Sequence, residues 1–203
     1  ITGANSLGIY GSTLDDNGNV LGTLNIINES GVNMGSVLDM DNALIGIYGT
    51  QNVNISTAET TGNVSGGNYT VGIYSAGGTV THNSDSTLGD VSLGIYISGG
   101  TGTVNSTAAI TVGNGLRTSL PGGNIIESGV ALYANNGAVI TNNSSNITVG
   151  RDSIIGYSKG TGSKIQNSGN IVLQEEAVGF YSNGGELENN GELTSLGDGV
   201  IYF

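Results

Sequence analysis

The stretch Val130-Ala131-Leu132-Tyr133-Ala134-Asn135-Asn136-Gly137-Ala138-Val139-Ile140-Thr141-Asn142-Asn143-Ser144-Ser145-Asn146-Ile147-Thr148-Val149 decides the fold. It holds three short apolar segments, 130–133, 137–140 and 146–149, with Asn, Gly and Ser between them. Segments of this length bounded by turn-forming residues read as β-strands. The first segment then begins again as Ile154-Ile155-Gly156-Tyr157, with Tyr157 24 residues after Tyr133.

The same motif recurs along the whole chain. Its copies end at Tyr10, Tyr48, Tyr74, Tyr96, Tyr133, Tyr157, Tyr181 and Tyr202, eight of the nine tyrosines. Their spacings are 38, 26, 22, 37, 24, 24 and 21, so the basic period is about 24 residues. The second segment recurs as Gly78-Thr79-Val80-Thr81, Gly102-Thr103-Val104-Asn105, Ser163-Lys164-Ile165-Gln166 and Gly185-Glu186-Leu187-Glu188. The third recurs as Ala109-Ile110-Thr111-Val112, Asn170-Ile171-Val172-Leu173 and Glu192-Leu193-Thr194-Ser195. A strand of three to five residues cannot bury its face alone. Stacked on the turn before and after, it joins a long parallel sheet with neighbours about 4.8 Å apart. The expected fold is therefore all-β: a right-handed parallel β-helix of three-strand rungs, roughly eight of them. A propeller blade needs 40 or more residues, and a leucine-rich repeat needs more Leu than this chain has. Turn asparagines at one rung position are expected to stack in a hydrogen-bonded ladder.

Composition agrees. The 203 residues include 37 Gly, 25 Asn, 22 Ser and 20 Thr, one Pro and no Cys, and only 10% are charged. The net charge is −12, and residues 1–116 contain no Lys or Arg. Nucleic-acid binding needs a basic footprint, as does docking on anionic lipid, so both are set aside. No apolar run is long enough for a membrane helix. A chain without Cys suits export through a periplasm in an unfolded state. The start at Ile1 reads as a piece cut from something longer.

Period-2 alternation sets the expected facing of the tyrosine motif. The residues one and three before Tyr, such as Val71 and Ile73, Leu93 and Ile95, or Val178 and Phe180, are expected to point inward, with the intervening Gly and the Tyr outward. Ile73, Ile95, Val80, Val104, Ile147 and Ile171 are expected core residues. The outward tyrosines would form a stripe down one face. It would serve as a sugar-stacking platform or a lateral docking face, or simply shield and stiffen the sheet.

The single β-helix segment, 1–203, carries inserted loops near 11–22, 36–43 and 114–128. Insertions in solenoids map to surface loops, often on a binding face. The receptor-binding candidates are Asp15 and Asp16 in the first loop and Arg117, Leu120 and Pro121 in the last. Arg117 in an acidic background would select an acidic patch or a carboxylate-bearing sugar. Alternatively, Leu116 and Leu120 fold the last loop back onto the rod.

Enzymatic chemistry is not expected, and neither a cofactor nor a metal. Calcium-dependent or aspartate-based polysaccharide sites need clustered acids, and Asp15-Asp16 is the only pair of adjacent aspartates. A Ser–His–Asp triad needs a suitably placed His. The sole His, His82, reads as a solvated turn residue in Thr81-His82-Asn83-Ser84.

Val71-Gly72-Ile73-Tyr74-Ser75 and Ile165-Gln166-Asn167-Ser168-Gly169-Asn170-Ile171 resemble repeats of large bacterial autotransporter passengers. With low charge and no Cys, the Gly-Ile-Tyr phrasing is most similar to the fusobacterial outer-membrane adhesins of the RadD-like group. The resemblance implies a β-helical passenger segment exposed at the cell surface. A C-terminal outer-membrane β-barrel, absent here, would anchor the parent chain. The implied partners are a host-cell surface glycoprotein or glycan, or partner bacteria, and the implied function is non-enzymatic adhesion. The alternatives are a pure spacer with its binding site elsewhere and, remotely, a polysaccharide-acting enzyme.

Overall fold

The computed structural model describes residues 1–198 except 4 and 122, with the side chains of 120, 124 and 125 also outside the description. It is a parallel β-helix of about seven turns. The eighth tyrosine motif, with Tyr202, lies outside the described residues.

Three strand columns form the faces of the rod. Sheet I stacks Leu7–Gly11, Leu44–Gly49, Thr70–Ser75, Leu93–Ser98, Val130–Asn135, Ile154–Lys159 and Val178–Asn183. Sheet II stacks Leu24–Asn28, Val53–Thr57, Thr79–His82, Thr101–Val104, Val139–Asn142, Lys164–Asn167 and Glu186–Asn189. Sheet III stacks Val32–Asn33, Val64–Gly66, Asp85–Leu88, Ala109–Val112 and Asn146–Val149. Ile171–Leu173 and Leu193–Ser195 then pair with each other in the same column. Pairing within each column is parallel and in register, so Tyr48 lies against Tyr74, and Tyr74 against Tyr96.

The core is the triangle's interior. Ile73, Ile95, Val80, Val104, Ile147 and Ile171 are all buried there. The facing of the tyrosine motif differs from simple alternation. The residue two before Tyr points inward: Ala131 and Ile155 are fully buried at that position. A Cβ on Gly94 would come within 3.0 Å of the core atom Ile110 Cγ2. The residue three before Tyr is buried in some turns, as at Val71 and Val130, and in others, Leu7, Ile45, Leu93 and Ile154, keeps part of its surface exposed. Two successive residues thus face the core where the chain turns from sheet III into sheet I. Glycine is common at that site because the corner leaves little width.

Volume is balanced locally. The position after each Tyr is mostly small (Ser75, Ala134, Ser158), but Ile97 occupies it in one turn and is fully buried. Opposite, sheet II has Gly102 where its neighbours carry Val80 and Ile140. A Cβ on Gly102 would overlap Ile97 Cδ1. Likewise Gly156 takes the place of the large residue before Tyr, and the Phe180 ring from the next turn fills the space above it.

This pairing yields a test. Gly102→Val should destabilise the fold by about 1–3 kcal/mol through overpacking. Adding Ile97→Ala should recover most of that loss, because the two changes restore the volume pattern of the neighbouring turns. Denaturant midpoints of the two single variants and the double variant measure the coupling.

Candidate functional site: the tyrosine face and the inserted corner

On sheet I, seven tyrosines from Tyr10 to Tyr181 form one column on the outer surface. Successive ring centroids are 4.6–5.4 Å apart. Interior pairs are nearly parallel, with interplanar angles of 10° for Tyr48–Tyr74 and Tyr74–Tyr96 and 14° for Tyr96–Tyr133. The strand spacing falls at the near end of the centroid separations that offset-stacked rings prefer, so an in-register column brings each ring into contact with the next. The consequence corrects one expectation. A sugar-stacking platform needs a free ring face, yet the interior rings cover one another's faces and present edges. The rings are half-buried along the column, while Tyr10 at its start is 56% exposed. Burial, with adjoining tyrosines as the smaller cause, raises the phenol pKa of Tyr48 and Tyr74 and pushes that of Tyr133 up to about 12.

The loop after Tyr10 sits at the corner between sheets I and II. Thr13 N–H donates to Thr50 Oγ1 at 3.1 Å, and Leu14 and Val20 form an antiparallel bridge. Asp15 serves its own loop. Its carboxylate accepts from Asn17 N, Asn19 N and Asn19 Nδ2 at 2.8–3.0 Å. The Asn19 side-chain bond is the chief cause holding its pKa below the usual value. Asp16 alone of the pair projects into solvent.

The other two insertions share the opposite corner, between sheets III and I. One contains the 3-10 turn Met40–Asn42, capped by the Asp39 carboxylate, which accepts from Asn42 N at 3.0 Å. The other is an antiparallel hairpin of Leu116–Leu120 and Gly123–Glu127. The corner backbone passes beneath the hairpin unbroken. Val91 N–H donates to Asn114 O, Gly115 N–H to Arg151 O and Asp152 N–H to Glu176 O, at 2.7–3.0 Å. The hairpin leaves the rod after Gly115 and returns at Gly129, so it adds to the stack without displacing it.

Arg117 is committed within the protein. Its guanidinium donates to the nearly buried Asp152 carboxylate and lies 3.9 Å from Glu176. It therefore staples the hairpin to the rod rather than offering a free positive charge. Arg151 and Lys164 are paired too, with Glu176 at 3.6 Å and Glu188 at 2.7 Å. Leu116 does not fold back, being 43% exposed, and Ile126, paired with Arg117 on the other face of the hairpin, is 48% exposed. Pro121 is exposed at the tip, and the Leu120 side chain lies outside the described residues.

Sequence reading missed that the 36–43 and 114–128 insertions converge. Asp39, Met40, Asp41, Val91, Glu127 and Ser128 line one recess. Leu38, 90% exposed, stands on the first of these loops. Tyr69, the ninth tyrosine, is at the same corner. Burial first, then the charges of Glu127, Asp39 and Asp90, raise its pKa. The available signal was position, since both insertions immediately precede a tyrosine motif.

His82 also departs from the expectation of a solvated turn residue. It is fully buried at the end of a sheet II strand, not solvated. Thr57 Oγ1 accepts from Asn83 N at 2.9 Å and Ser84 N at 3.3 Å, so its proton goes to His82 Nδ1 at 3.2 Å. Nε2–H then donates to Ser86 Oγ at 3.2 Å. Ser86 stands in the column where Val64 and Ile110 are neighbours, so a polar partner replaces an aliphatic one beside the imidazole. Farther along the His82 column, Asn142 Nδ2 donates to Asn167 Oδ1 at 2.7 Å, and Asn167 Nδ2 to Asn189 Oδ1 at 2.6 Å.

Burial lowers the His82 pKa from 6.5 to about 4. The unfolded chain thus binds a proton that the fold refuses. Stability is full above pH 6.5 and declines as pH falls towards 4, by about 3 kcal/mol in all at roughly 1.4 kcal/mol per unit. Urea melts across that range should show the slope, and His82→Asn should abolish it between pH 6.5 and 5. A further expectation concerns the staple: Arg117→Ala should speed amide exchange in residues 116–127 while leaving the rungs protected.

Among the described residues, no group of three or more His, Asp or Glu is arranged to hold a metal ion. Among them also, no helix is long and apolar enough to cross a membrane. Comparison with protein-family models, with curated proteins and with solved structures finds no match to this chain.

Proposed function

We propose that the chain is a non-enzymatic adhesive segment of a bacterial surface passenger, held at the cell surface through a parent autotransporter chain. Its contact surface is the corner between sheets III and I. The observation that carries this reading is the convergence of two insertions, from different turns, on one recess of the rod. A regular rung repeats its neighbours' small polar pattern and discriminates poorly between partners. The inserted corner carries the exposed Leu38, the exposed Leu116 on the same hairpin face as Glu127, and the half-buried aromatic Tyr69, a composition suited to an interface core. Asp39, Asp41, Asp90 and Glu127 surround it, and Arg117 is already neutralised. The complementary receptor surface is therefore cationic, and salt should slow association. Such a surface belongs to a protein or glycoprotein on a host cell or partner bacterium.

The test is receptor binding by a chain in which residues 115–127 are replaced by a short Gly-Ser turn, alongside Tyr69→Ala. Both should keep the parent's melting temperature within a few degrees and lose binding at least about tenfold, the equivalent of about 1.4 kcal/mol. Undiminished binding by the folded hairpin variant would move the contact to the acidic loop at 14–19. No binding by the intact chain to a panel of cells and glycoproteins would favour a spacer, which the regular register of the seven turns also suits.

A further inference from the structure

The tyrosine ladder brings together groups whose chemistry stacking does not use. Seven phenols stand in one column, each ring in contact with the next. Because the backbone pairing matches Tyr to Tyr, the rings hang from equivalent atoms one strand apart. Equivalent ring atoms therefore lie side by side. The half-exposed edges are open to solvent, while the aliphatic core lies on the other side of the sheet. We propose that neighbouring tyrosines of this ladder are oxidative coupling sites, joined by dityrosine bonds from rung to rung when a haem peroxidase and hydrogen peroxide act on the folded rod.

The step balances as follows. Each of two adjacent phenols gives one electron and its hydroxyl proton to the oxidant. The phenoxyl radicals carry unpaired density on Cε, the carbon beside the one bearing oxygen. Two such carbons form a C–C bond, and the hydrogen on each then moves as a proton to its own oxygen, restoring both rings. Two tyrosines have lost two hydrogen atoms. One hydrogen peroxide takes them up, its O–O bond breaks, and two waters form.

Geometry favours this over the alternatives open to an isolated phenol. A radical at one ring has its partner already in contact, so coupling is intramolecular and needs only side-chain rotation in half-exposed rings. Each bond closes a loop between tyrosines spaced 22–38 residues apart within the described ladder. Like a disulfide, it would constrain the unfolded chain, and this chain has no Cys to do so. Tyr69, at the sheet III–I corner and outside the column, is a built-in comparison.

The experiment treats the dilute folded chain with horseradish peroxidase and limiting hydrogen peroxide. The expected products are monomers lighter by two hydrogens per link, with dityrosine fluorescence and cross-linked peptides joining Tyr74 to Tyr96 and Tyr96 to Tyr133. The variant Tyr48→Phe/Tyr96→Phe/Tyr157→Phe keeps the stacked rings but leaves no two phenols adjacent from Tyr10 to Tyr181. Its intramolecular yield should fall on the order of tenfold or more, given the advantage of held contact. The wild-type chain unfolded in urea should show the same fall. Three results would overturn the proposal: cross-rung peptides persisting in the alternating variant, an equal yield from the unfolded chain, or folded wild type yielding oxygenated tyrosines without links.

Discussion

Everything in this molecule depends on the parallel backbone ladder between successive turns. A strand of four or five residues has no stability of its own. It acquires some only when its N–H and C=O groups are met on both sides by strands in register. Register then dictates side-chain direction, since a slip of one residue would turn every core isoleucine outward. The tyrosine column, the asparagine ladder and the aliphatic interior are three expressions of that single constraint. Each places like beside like because the backbone leaves no other neighbour.

The corners show how much irregularity such a ladder accepts. At the junction of sheets III and I, non-glycine residues hold left-handed backbone, with φ of 56° at Tyr69, 52° at Val91, 58° at Asp152 and 55° at Glu176. For the β-branched Val91 this is a strained conformation. It persists because its N–H is held by the neighbouring turn. The same rail lets a twelve-residue excursion, Leu116 to Glu127, leave and return without breaking the stack. Insertions are therefore confined to corners, and an interaction surface on this rod has to be assembled there.

Much of the fold was legible in the sequence. The period, the three strands per turn and the core isoleucines and valines from Ile73 to Ile171 follow from short-range alternation and turn residues, which act locally. What was not legible depended on neighbours distant in the chain. The inward glycine before Ile95 reflects the width of a corner, which alternation alone does not encode. His82 looks solvated beside Thr81, Asn83 and Ser84. Its true partners include Thr57, contributed by the preceding turn, and Ser86, which occupies a core column. Arg117 looked free because Asp152 lies 35 residues on. For the candidate site, the loops were found from spacing, but their meeting at Asp39 and Glu127 required knowing which corner each one leaves from.

The unequal turns also bear on how the chain finds its alignment. A stack of near-identical rungs faces a threading error peculiar to repeats, in which one turn docks on the wrong turn and shifts all later ones by a full period. Such a shifted stack would keep its hydrogen bonds and most apolar contacts, so the backbone alone scarcely opposes it. The Phe180 ring over Gly156, His82 beneath Thr57 and the hairpin fastened to Asp152 are each matched to a particular neighbour. Set against the wrong rung, Phe180 meets a second bulky residue and His82 loses a partner. Departures from the consensus thus act as address labels, giving each rung a place in the order as well as in the sheet.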